Sequence, residues 1–477
     1  MTEEEKKALR EKRVAQIFES FKETKEEDDD ELFSPDHVWN PEVDELMSGA
    51  QPPKMPDKLP SLIALLTCAT PDIYKPAVAH AVFPSLAAHL WKTKFPYVDN
   101  VEHEATLMCV LMAGTGAGKS CVNKPIDYIM ADIEARDREN RKILAEWCHT
   151  EAAKGAYQDR AKRPDVVIQS LDPDMTPAAF VERLVAAKGH FLYSRINELD
   201  QFDAIEGNGK GYLQGLKWRI MCLAFDPDNQ WGQTRVSLDS VSERTTVRYN
   251  WNASTTIGKG RKYFEHVAAD GPLSRINFCT IPERVIGAEM PVFGDYPDDF
   301  EKRLHPYISH LTQVHGLVRC AEAERLIEEL MTECQEVAVL SMNRIYENFS
   351  FRALVIAYLK ACVLYVANGC KWEPEMDEFI RWSLQYDLWC KMEFFDNLVW
   401  RQQNGGNRFT RRGPQSMLQQ LDIHFTWQQL EDLRIKCGMS AEGTRDMLKK
   451  WMKRGFLERD VVSRTTQFCK TAMAIGG

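Results

Sequence analysis

One stretch of the chain combines residue types and a spacing that suit phosphate binding. It consists of Ala113, Gly114, Thr115, Gly116, Ala117, Gly118, Lys119 and Ser120. Glycines let backbone N–H groups turn inward around phosphate oxygens, and the start of a helix adds a favourable dipole. We expect Lys119 to reach the β- and γ-phosphates of ATP and the Ser120 hydroxyl to coordinate Mg²⁺. Ala113 stands where glycine is more usual, and the alternative interpretation is a glycine-rich turn between a strand and a helix.

Acidic residues that could support hydrolysis follow a second apolar run, GHFLYSRINELDQF. A carboxylate at the end of a strand beside the phosphate loop can hold Mg²⁺ and orient water. Asn197 stands where the usual acidic pair has an aspartate, so Glu198 is the predicted water-orienting base. Asp200, or Asn197, is predicted to support the metal shell. The alternative is a strand that ends in a solvated acidic turn.

Two further side chains are candidates for the hydrolytic step. Asn252 lies in RYNWNASTT, where an amide at a strand end beside the γ-phosphate would polarise the attacking water; the alternative is an edge-strand asparagine with satisfied hydrogen bonds. Arg275 follows a loop and precedes an apolar strand, and we expect it to reach the γ-phosphate of a neighbouring subunit. A plain surface arginine is the alternative. Arg352, at the head of a later helix, is a second sensor candidate.

Strands and helices must alternate for these residues to meet. The run ATLMCVLMA predicts a buried strand before the glycines, and SCVNKPIDYIM begins a long helix after them. Further strands are predicted over residues 165–172 and 191–196, around Asn252, and after Arg275. The pattern predicts an α/β fold with a parallel, doubly wound sheet: a P-loop NTPase (RecA/AAA+-like) core with flanking helical regions and a C-terminal winged helix.

The length and composition predict several domains. With 477 residues, of which 44% are hydrophobic and 27% charged, the chain can bury a large core. We predict an N-terminal helix, acidic arm and linker over residues 1–58, and a helical subdomain over 59–104. The ATPase core is predicted over 105–300 and a helical domain over 301–403. A linker over 404–414 and a winged helix-turn-helix over 415–477 complete the prediction.

Charge and cysteine usage restrict the compartment and the partners. The 13 cysteines include no C-x-x-C pair, which is typical of a reducing compartment. The N-terminus lacks an apolar signal core, and the longest apolar run, over 353–367, is short and contains Lys360. We therefore expect a cytoplasmic protein without a membrane partner. A net charge of -10 argues against coating nucleic acid by bulk positive charge, so any contact needs a local patch or pore.

The last part of the chain predicts a winged helix-turn-helix, with two helices followed by two short strands. Its second helix is locally basic. The candidate nucleic-acid contacts are Arg445, Lys449, Lys450, Lys453 and Arg454. Contact with duplex DNA is the favoured interpretation, and docking of a protein is the alternative. Glycine-rich loops such as EGNGKGYLQGLKW could line a pore and grip single-stranded DNA by charge and stacking.

Five segments together resemble a family of P-loop ATPases carried on mobile genetic elements of gut bacteria. They are YVDNVEHEATLMCVLMAGTGAGKS, GHFLYSRINELDQFDA, CLAFDPDNQWGQTR, RYNWNASTT and GPLSRINFCTIPE. That family is similar to the helicase half of primase-helicases and often occurs with primase or virulence-associated-E-like domains. The resemblance implies a replication-associated ATPase. The sequence shows no zinc-ligand cluster and no polymerase-like acidic triad, so a primase would be a separate polypeptide.

Three functions remain open from the sequence. The first is a ring-forming, homo-oligomeric DNA motor of the helicase type, with a hexamer as one option, acting in replication of a mobile element. The second is a nucleotide-switched initiator or loader that binds a DNA site and recruits replication or transfer machinery without unwinding. The third is a defence or signalling ATPase that senses a partner protein.

Overall fold

The computed structural model describes residues 10, 12–15, 52–154, 161–172, 176–199, 222–232, 243–265, 271–341, 343–403, 418, 421–436, 444–453, 457–460 and 467–470. The chain divides into two compact units. The first comprises residues 1–22 and 50–400, and the second comprises residues 23–49 and 401–477. The predicted domain boundaries at 59, 105 and 301 fall inside the first unit.

The first unit alternates helices and strands along most of its length. Its α-helices whose bounds lie within the described residues are α1 Ser61–Leu66, α2 Lys75–Ala87, α3 Asn123–Ala152, α4 Pro177–Ala186, α5 Ile257–Phe264, α6 Pro272–Arg275, α7 Phe300–Gln313, α8 Ala321–Ser341, α9 Arg344–Ala367 and α10 Glu375–Gln403. Its strands are β1 Thr93–Pro96, β2 Glu102–His103, β3 Met108–Ala113, β4 Leu192–Ile196, β5 Trp231–Gly232, β6 Arg244–Thr245, β7 Tyr249–Thr256, β8 Asn277–Cys279 and β9 Gly316–Leu317. Short 3₁₀ helices span Asp72–Tyr74 and Lys119–Val122.

A parallel sheet of four strands lies at the centre of this unit, in the order β4-β7-β3-β8. Every residue of β3 is buried, as expected for a parallel strand that helices cover on both faces. Ala113 pairs with Thr256 and Ile196 with Ala253, so β3, β7 and β4 end close together. The predicted mixed α/β architecture with a parallel sheet is confirmed. Ligands of such sheets bind at this carboxyl edge.

The strand predicted over residues 165–172 is reduced to a short extended segment beside β4. Ser170 forms a parallel bridge with Tyr193, and the N–H of Leu171 donates to the Tyr193 carbonyl at 2.9 Å. The buried carboxylate of Asp137 accepts from the backbone N–H groups of Gln169 and Ser170, at 2.8 and 2.7 Å. Because the Asp137 carboxylate takes the N–H groups of Gln169 and Ser170, the segment does not continue as a regular strand hydrogen-bonded to β4.

Helices hold the sheet from several directions. α2 is almost wholly buried and packs against β3, β7 and β8.

The region predicted as helical over 59–104 also contains β1 and β2, which form a small sheet with β9. The prediction of helices between residues 301 and 403 is confirmed by α7 to α10.

One helix in the described part of the chain, α9, has the length and apolar composition that could cross a membrane. In its most apolar window 83% of the residues are buried inside the protein. α9 is therefore packed as a core helix.

The elements of the second unit whose bounds are described are two helices and the strands of a three-stranded antiparallel sheet. Its elements are β10 His424–Thr426, α11 Trp427–Lys436, α12 Thr444–Lys453, β11 Leu457–Asp460 and β12 Gln467–Lys470. The sheet order is β10-β12-β11, and Trp451 and Phe468 are among the buried residues of its own core. Thr426 and Gln429 cap α11 reciprocally: the Thr426 N–H donates to the Gln429 side chain at 2.8 Å, and the Gln429 N–H donates to the Thr426 hydroxyl at 3.4 Å.

Candidate functional site

The glycine-rich loop joins the end of β3 to the 3₁₀ helix that leads into α3. Gly116 and Gly118 adopt left-handed conformations, with φ of 73° and 87°. A Cβ added to Gly118 would lie 2.5 Å from the hydroxyl oxygen of Tyr74. Both the backbone angle and the close approach of Tyr74 therefore require glycine at position 118.

The side chains of Lys119 and Ser120, which the sequence predicts to bind phosphate and Mg²⁺, lie at the start of a helix. The ammonium of Lys119 donates to the carbonyl oxygen of Gly114 at 3.1 Å, so the half-buried lysine folds back on its own loop. Ser120 is exposed, and its hydroxyl makes no hydrogen bond to a described residue. A lysine held by one neutral carbonyl can exchange that partner for a charged one, because hydrogen bonds between ionised groups are stronger.

A cavity of about 350 Å³ opens between the start of α3 and residues of the strands β3, β4 and β7. This volume lies at the lower end of the range for small-molecule sites. The polar side chains that line the cavity include Lys119, Ser120, Arg195, Glu198, Asn252 and Ser254. The structure thus brings the lysine and serine of the loop and the predicted base Glu198 to one place.

Glu198 follows β4 by two residues and presents an unpartnered oxygen to this region. Its Oε2 atom is buried and accepts no hydrogen bond from the described residues. The Lys259 ammonium lies 3.8 Å from Oε2, and 45% of the Glu198 side chain is exposed. Because this half-exposed ion pair is weak, a water or a cation can replace Lys259 as the partner of Oε2.

The oxygen atoms near the cavity suit a metal ion that is held mostly by water and by the phosphates of a bound molecule, with few contacts to the protein. Within the described residues, no group of three or more His, Cys, Asp or Glu side chains could hold a metal ion. Mg²⁺ keeps several waters and takes one or two protein oxygens together with substrate phosphates. Ser120 and Glu198 offer such oxygens. The other predicted metal residue, Asp200, lies outside the described residues.

Asn252 lines the cavity but lies inside β7, four residues before its end. β7 is a central strand of the described sheet, so Asn252 does not lie at an edge, but its hydrogen bonds are satisfied as the alternative expected. The Asn252 carbonyl accepts from the Tyr193 hydroxyl at 2.8 Å, and its amide nitrogen donates to the Ala81 carbonyl at 2.7 Å. The amide joins β7 to β4 and α2, and polarising a water would compete with these two bonds.

Arg275 lies away from the cavity, directly before β8 and thus at the amino end of that strand. Its guanidinium pairs with Asp226 through two contacts of 3.2 Å and also donates to the Gly271 carbonyl. Within one chain Arg275 does not reach the cavity, and its predicted role requires a second subunit. Arg352 lies with its guanidinium 5.9 Å from the ring of Phe225, also outside the cavity lining.

The sequence analysis missed two residues that shape the cavity. The Ser254 hydroxyl donates to the Asn197 carbonyl at 2.5 Å, and the Leu199 N–H donates to the Ser254 carbonyl at 3.1 Å. Ser254 thereby fixes the turn that carries Glu198. The other missed residue, Arg195, lies in β4 three positions before Glu198. A charged residue within an apolar strand was the available signal for Arg195.

A second group of charged side chains lies buried between α2, β8, α9 and α10. The Lys360 ammonium donates to His80 Nδ1 at 3.0 Å, Asn277 Oδ1 at 3.0 Å and Ser383 Oγ at 2.8 Å. Burial lowers the pKa of Lys360 from 10.5 to about 8. Burial, and then the charge of Lys360, lowers the pKa of His80 well below 6.5, and His80 Nδ1 also lies 3.1 Å from Asn277 Oδ1.

The predicted nucleic-acid contacts lie on α12 and just after it. Arg445 is exposed and Lys449 is half-buried. The structure describes only the backbone of Lys450 and Lys453, and Arg454 lies outside the described residues.

Comparison with known proteins does not assign a family. No protein-family model matches the chain, and no curated protein matches it either. The predicted resemblance to mobile-element ATPases stays a prediction, and a functional assignment rests on the geometry of the cavity.

Proposed function

We propose that the first unit binds ATP with Mg²⁺ in the cavity and hydrolyses it. The observation that carries this proposal is that Lys119, Ser120 and Glu198 line one cavity at the end of a parallel strand. The Glu198 Oε2 atom accepts no hydrogen bond from the described residues, so it can take a water or a cation there. The proposed fold class is a P-loop NTPase of the RecA/AAA+ type, supported by the loop at the end of a central parallel strand and the start of a helix directly after it.

Each residue has a distinct part in the proposed reaction. The backbone N–H groups of the loop hold phosphate oxygens, and Lys119 exchanges the Gly114 carbonyl for the β- and γ-phosphates. Ser120 offers its hydroxyl to Mg²⁺, which would neutralise charge on the phosphates when bound. Glu198 orients the attacking water and accepts its proton, because its carboxylate lies at the same edge of the sheet.

We further propose that copies of this chain form a ring in which Arg275 of one subunit reaches the γ-phosphate held by the next. A surface feature beside the loop supports oligomerisation. The segment after β8 exposes several large apolar side chains: Val285, Ile286, Met290, Val292 and Phe293. Phe293 stacks on Tyr74, which lies against Gly118, so this segment adjoins the loop. Exposed apolar patches commonly mark contacts with other macromolecules.

The element order of the second unit supports a winged helix that contacts DNA. Two helices are followed by two antiparallel strands, and the second helix, α12, carries the exposed Arg445. Together with the proposed ATPase, this favours a cytoplasmic DNA motor of the helicase type, acting in replication of a mobile element with any primase on a separate chain. Single-stranded DNA in a central pore is the proposed substrate.

ATPase assays on the full chain test this function. We expect hydrolysis by the wild type, stimulation by single-stranded DNA, an oligomer in mass photometry, and loss of hydrolysis in Lys119→Ala. An oligomeric wild type that shows neither DNA stimulation nor unwinding would overturn the motor proposal.

The second candidate is a nucleotide-switched initiator or loader, which the winged-helix element order also favours. Footprinting on DNA from the host element, compared with random duplex, separates the two functions. A motor should show little site preference, whereas an initiator should protect one site in an ATP-dependent manner.

A further inference from the structure

Arg195 presents its charge to the same cavity as Lys119 and Glu198. It lies in β4, where its backbone pairs with Asn252 of β7. Its Nη1 atom donates to Asp127 Oδ1 at 2.5 Å and to the Asn123 carbonyl at 3.3 Å. Both partners belong to the first two turns of α3, the helix that follows the phosphate loop. The guanidinium therefore lies between the strand that leads to Glu198 and the helix that begins near Ser120.

The Arg195–Asp127 ion pair is easy to exchange. The Arg195 side chain is 35% exposed and that of Asp127 is 60% exposed. Ion pairs with this degree of exposure contribute about 0 to 1 kcal/mol, because water screens the charges. A terminal phosphate carries more negative charge than one carboxylate, and a guanidinium can bind two of its oxygens at once.

Two other cations of the described residues lie near the cavity. Lys119 contacts the Gly114 carbonyl on the loop side, and the Lys259 ammonium lies 3.8 Å from Glu198. Among the described residues, Arg195 is the arginine that lines the cavity, and it does so from β4. It is therefore placed to contact the end of a polyphosphate that extends from the loop toward Glu198.

We propose that Arg195 senses the terminal phosphate of the bound nucleotide and so distinguishes ATP from ADP. With ADP, Arg195 stays paired with Asp127. With ATP, the guanidinium moves to the γ-phosphate and releases Asp127 on α3. The inference rests on the proposed nucleotide site, and it assigns a specificity-determining role to a residue of the same subunit, distinct from that of Arg275.

Equilibrium titrations of the full chain with Mg²⁺ and either ADP or a non-hydrolysable ATP analogue test this role. We expect Arg195→Met to weaken binding of the analogue about tenfold or more and to leave ADP binding within about threefold of the wild type. The affinity of Arg195→Lys for the analogue should lie between those of the wild type and Arg195→Met, because lysine keeps the charge but loses the two-point contact. Asp127→Asn is the matched control: it releases Arg195, so the analogue should bind as well as to the wild type or more tightly.

The outcomes separate this inference from the proposed function. If the wild type binds both nucleotides and Arg195→Met weakens the binding of both equally, Arg195 only connects α3 with β4. The inference is then wrong, while the proposed nucleotide site is unaffected. If Asp127→Asn loses analogue affinity as Arg195→Met does, the ion pair itself is what matters, and the inference again fails. A wild type that binds neither nucleotide overturns the proposed function and this inference with it. The Asp127→Asn titration still decides the question if Arg195→Met does not fold.

Discussion

Two regions beside the same parallel sheet contain lysines that are held in opposite ways. Lys119 is half-buried and donates to a single backbone carbonyl at the edge of an open cavity. Lys360 is fully buried and donates to three side chains. Nearby, Lys391 is buried with Asp387 at 2.7 Å. The cavity lysine has a partner that a ligand can replace, whereas the buried lysines are satisfied within the protein.

This difference indicates what each region does. Charges that stabilise a fold must be paired inside it, because an unpaired buried charge is very costly. Charges that serve a ligand can keep weak partners until the ligand binds, which is the role we propose for Glu198, paired with Lys259 at 3.8 Å. We therefore expect substitutions around the cavity to change nucleotide binding with little loss of stability, and substitutions in the buried cluster to do the reverse.

The largest effect should come from Lys119→Ala. We expect the rate of ATP hydrolysis to fall by about 100- to 1,000-fold, because one charged contact to the phosphates is lost. The melting temperature should stay close to that of the wild type, since only a hydrogen bond to Gly114 disappears. Lys142→Ala on α3, which removes an exposed lysine, is the control and should leave both quantities unchanged. A large drop in melting temperature for Lys119→Ala would remove the distinction between the two regions.

Asp387→Ala should give the largest change in stability. It leaves Lys391 buried without its carboxylate and removes the acceptor of the Phe278 N–H. We expect the free energy of unfolding to fall by about 3 to 5 kcal/mol, measured by urea denaturation. Glu393→Ala on the same helix removes a half-exposed partner of Arg261 and should cost less than about 1 kcal/mol. Equal losses of unfolding free energy in the two variants would show that the buried Lys391–Asp387 pair contributes no more to stability than the half-exposed one.

Two glycine substitutions sharpen the description of the loop. Gly116→Ala and Gly118→Ala both place a side chain at positive φ, but only Gly118→Ala also collides with Tyr74. The backbone strain alone costs about 1 to 2 kcal/mol per site. We expect ATP affinity to fall about tenfold further in Gly118→Ala than in Gly116→Ala, since the collision also displaces the loop. Equal affinities in a nucleotide titration would mean that Tyr74 does not shape the loop.

The smallest effect concerns the pH dependence of stability. Burial lowers the pKa of Lys360 from 10.5 to about 8. Below pH 8 the lysine carries its proton in both the folded and unfolded chain. Between pH 8 and 10.5 the folded chain releases the proton first, so the unfolded chain binds more protons and the stability contributed by this group rises with pH.

We therefore expect the stability of the wild type to rise relative to Lys360→Met by roughly 1 kcal/mol per pH unit in that window. Comparing the two proteins removes the contributions of other groups, such as buried cysteines that ionise in the unfolded chain. A constant difference between pH 8 and 10 would mean that Lys360 does not titrate in this range.

The sequence identifies Lys119, Ser120 and Glu198 because local order determines their positions. A loop between a buried strand and a helix, and a carboxylate just after another strand, both lead to the carboxyl edge of a parallel sheet. The same reasoning cannot order the strands, since β7 inserts between β3 and β4 although it follows both in sequence.

Long-range contacts account for what the sequence leaves unpredicted. The hydrogen bonds of Asn252 come from Tyr193 and Ala81, which lie far away along the chain, so its amide could not be recognised as engaged. The cavity position of Arg195 depends on the start of α3. The buried Lys360 cluster joins four elements. The sequence shows a lysine inside an apolar run, but not the three side chains from other elements that it contacts.

The most direct test of the nucleotide site is a titration of Mg²⁺ and ATP into the wild type and Glu198→Gln, with ADP release measured in the same samples. Glutamine keeps the shape of the side chain but cannot accept the proton of water. We expect Glu198→Gln to bind ATP within about a factor of three of the wild type and to release ADP at least about 100-fold more slowly. Release of ADP at the wild-type rate by Glu198→Gln would contradict the proposed site.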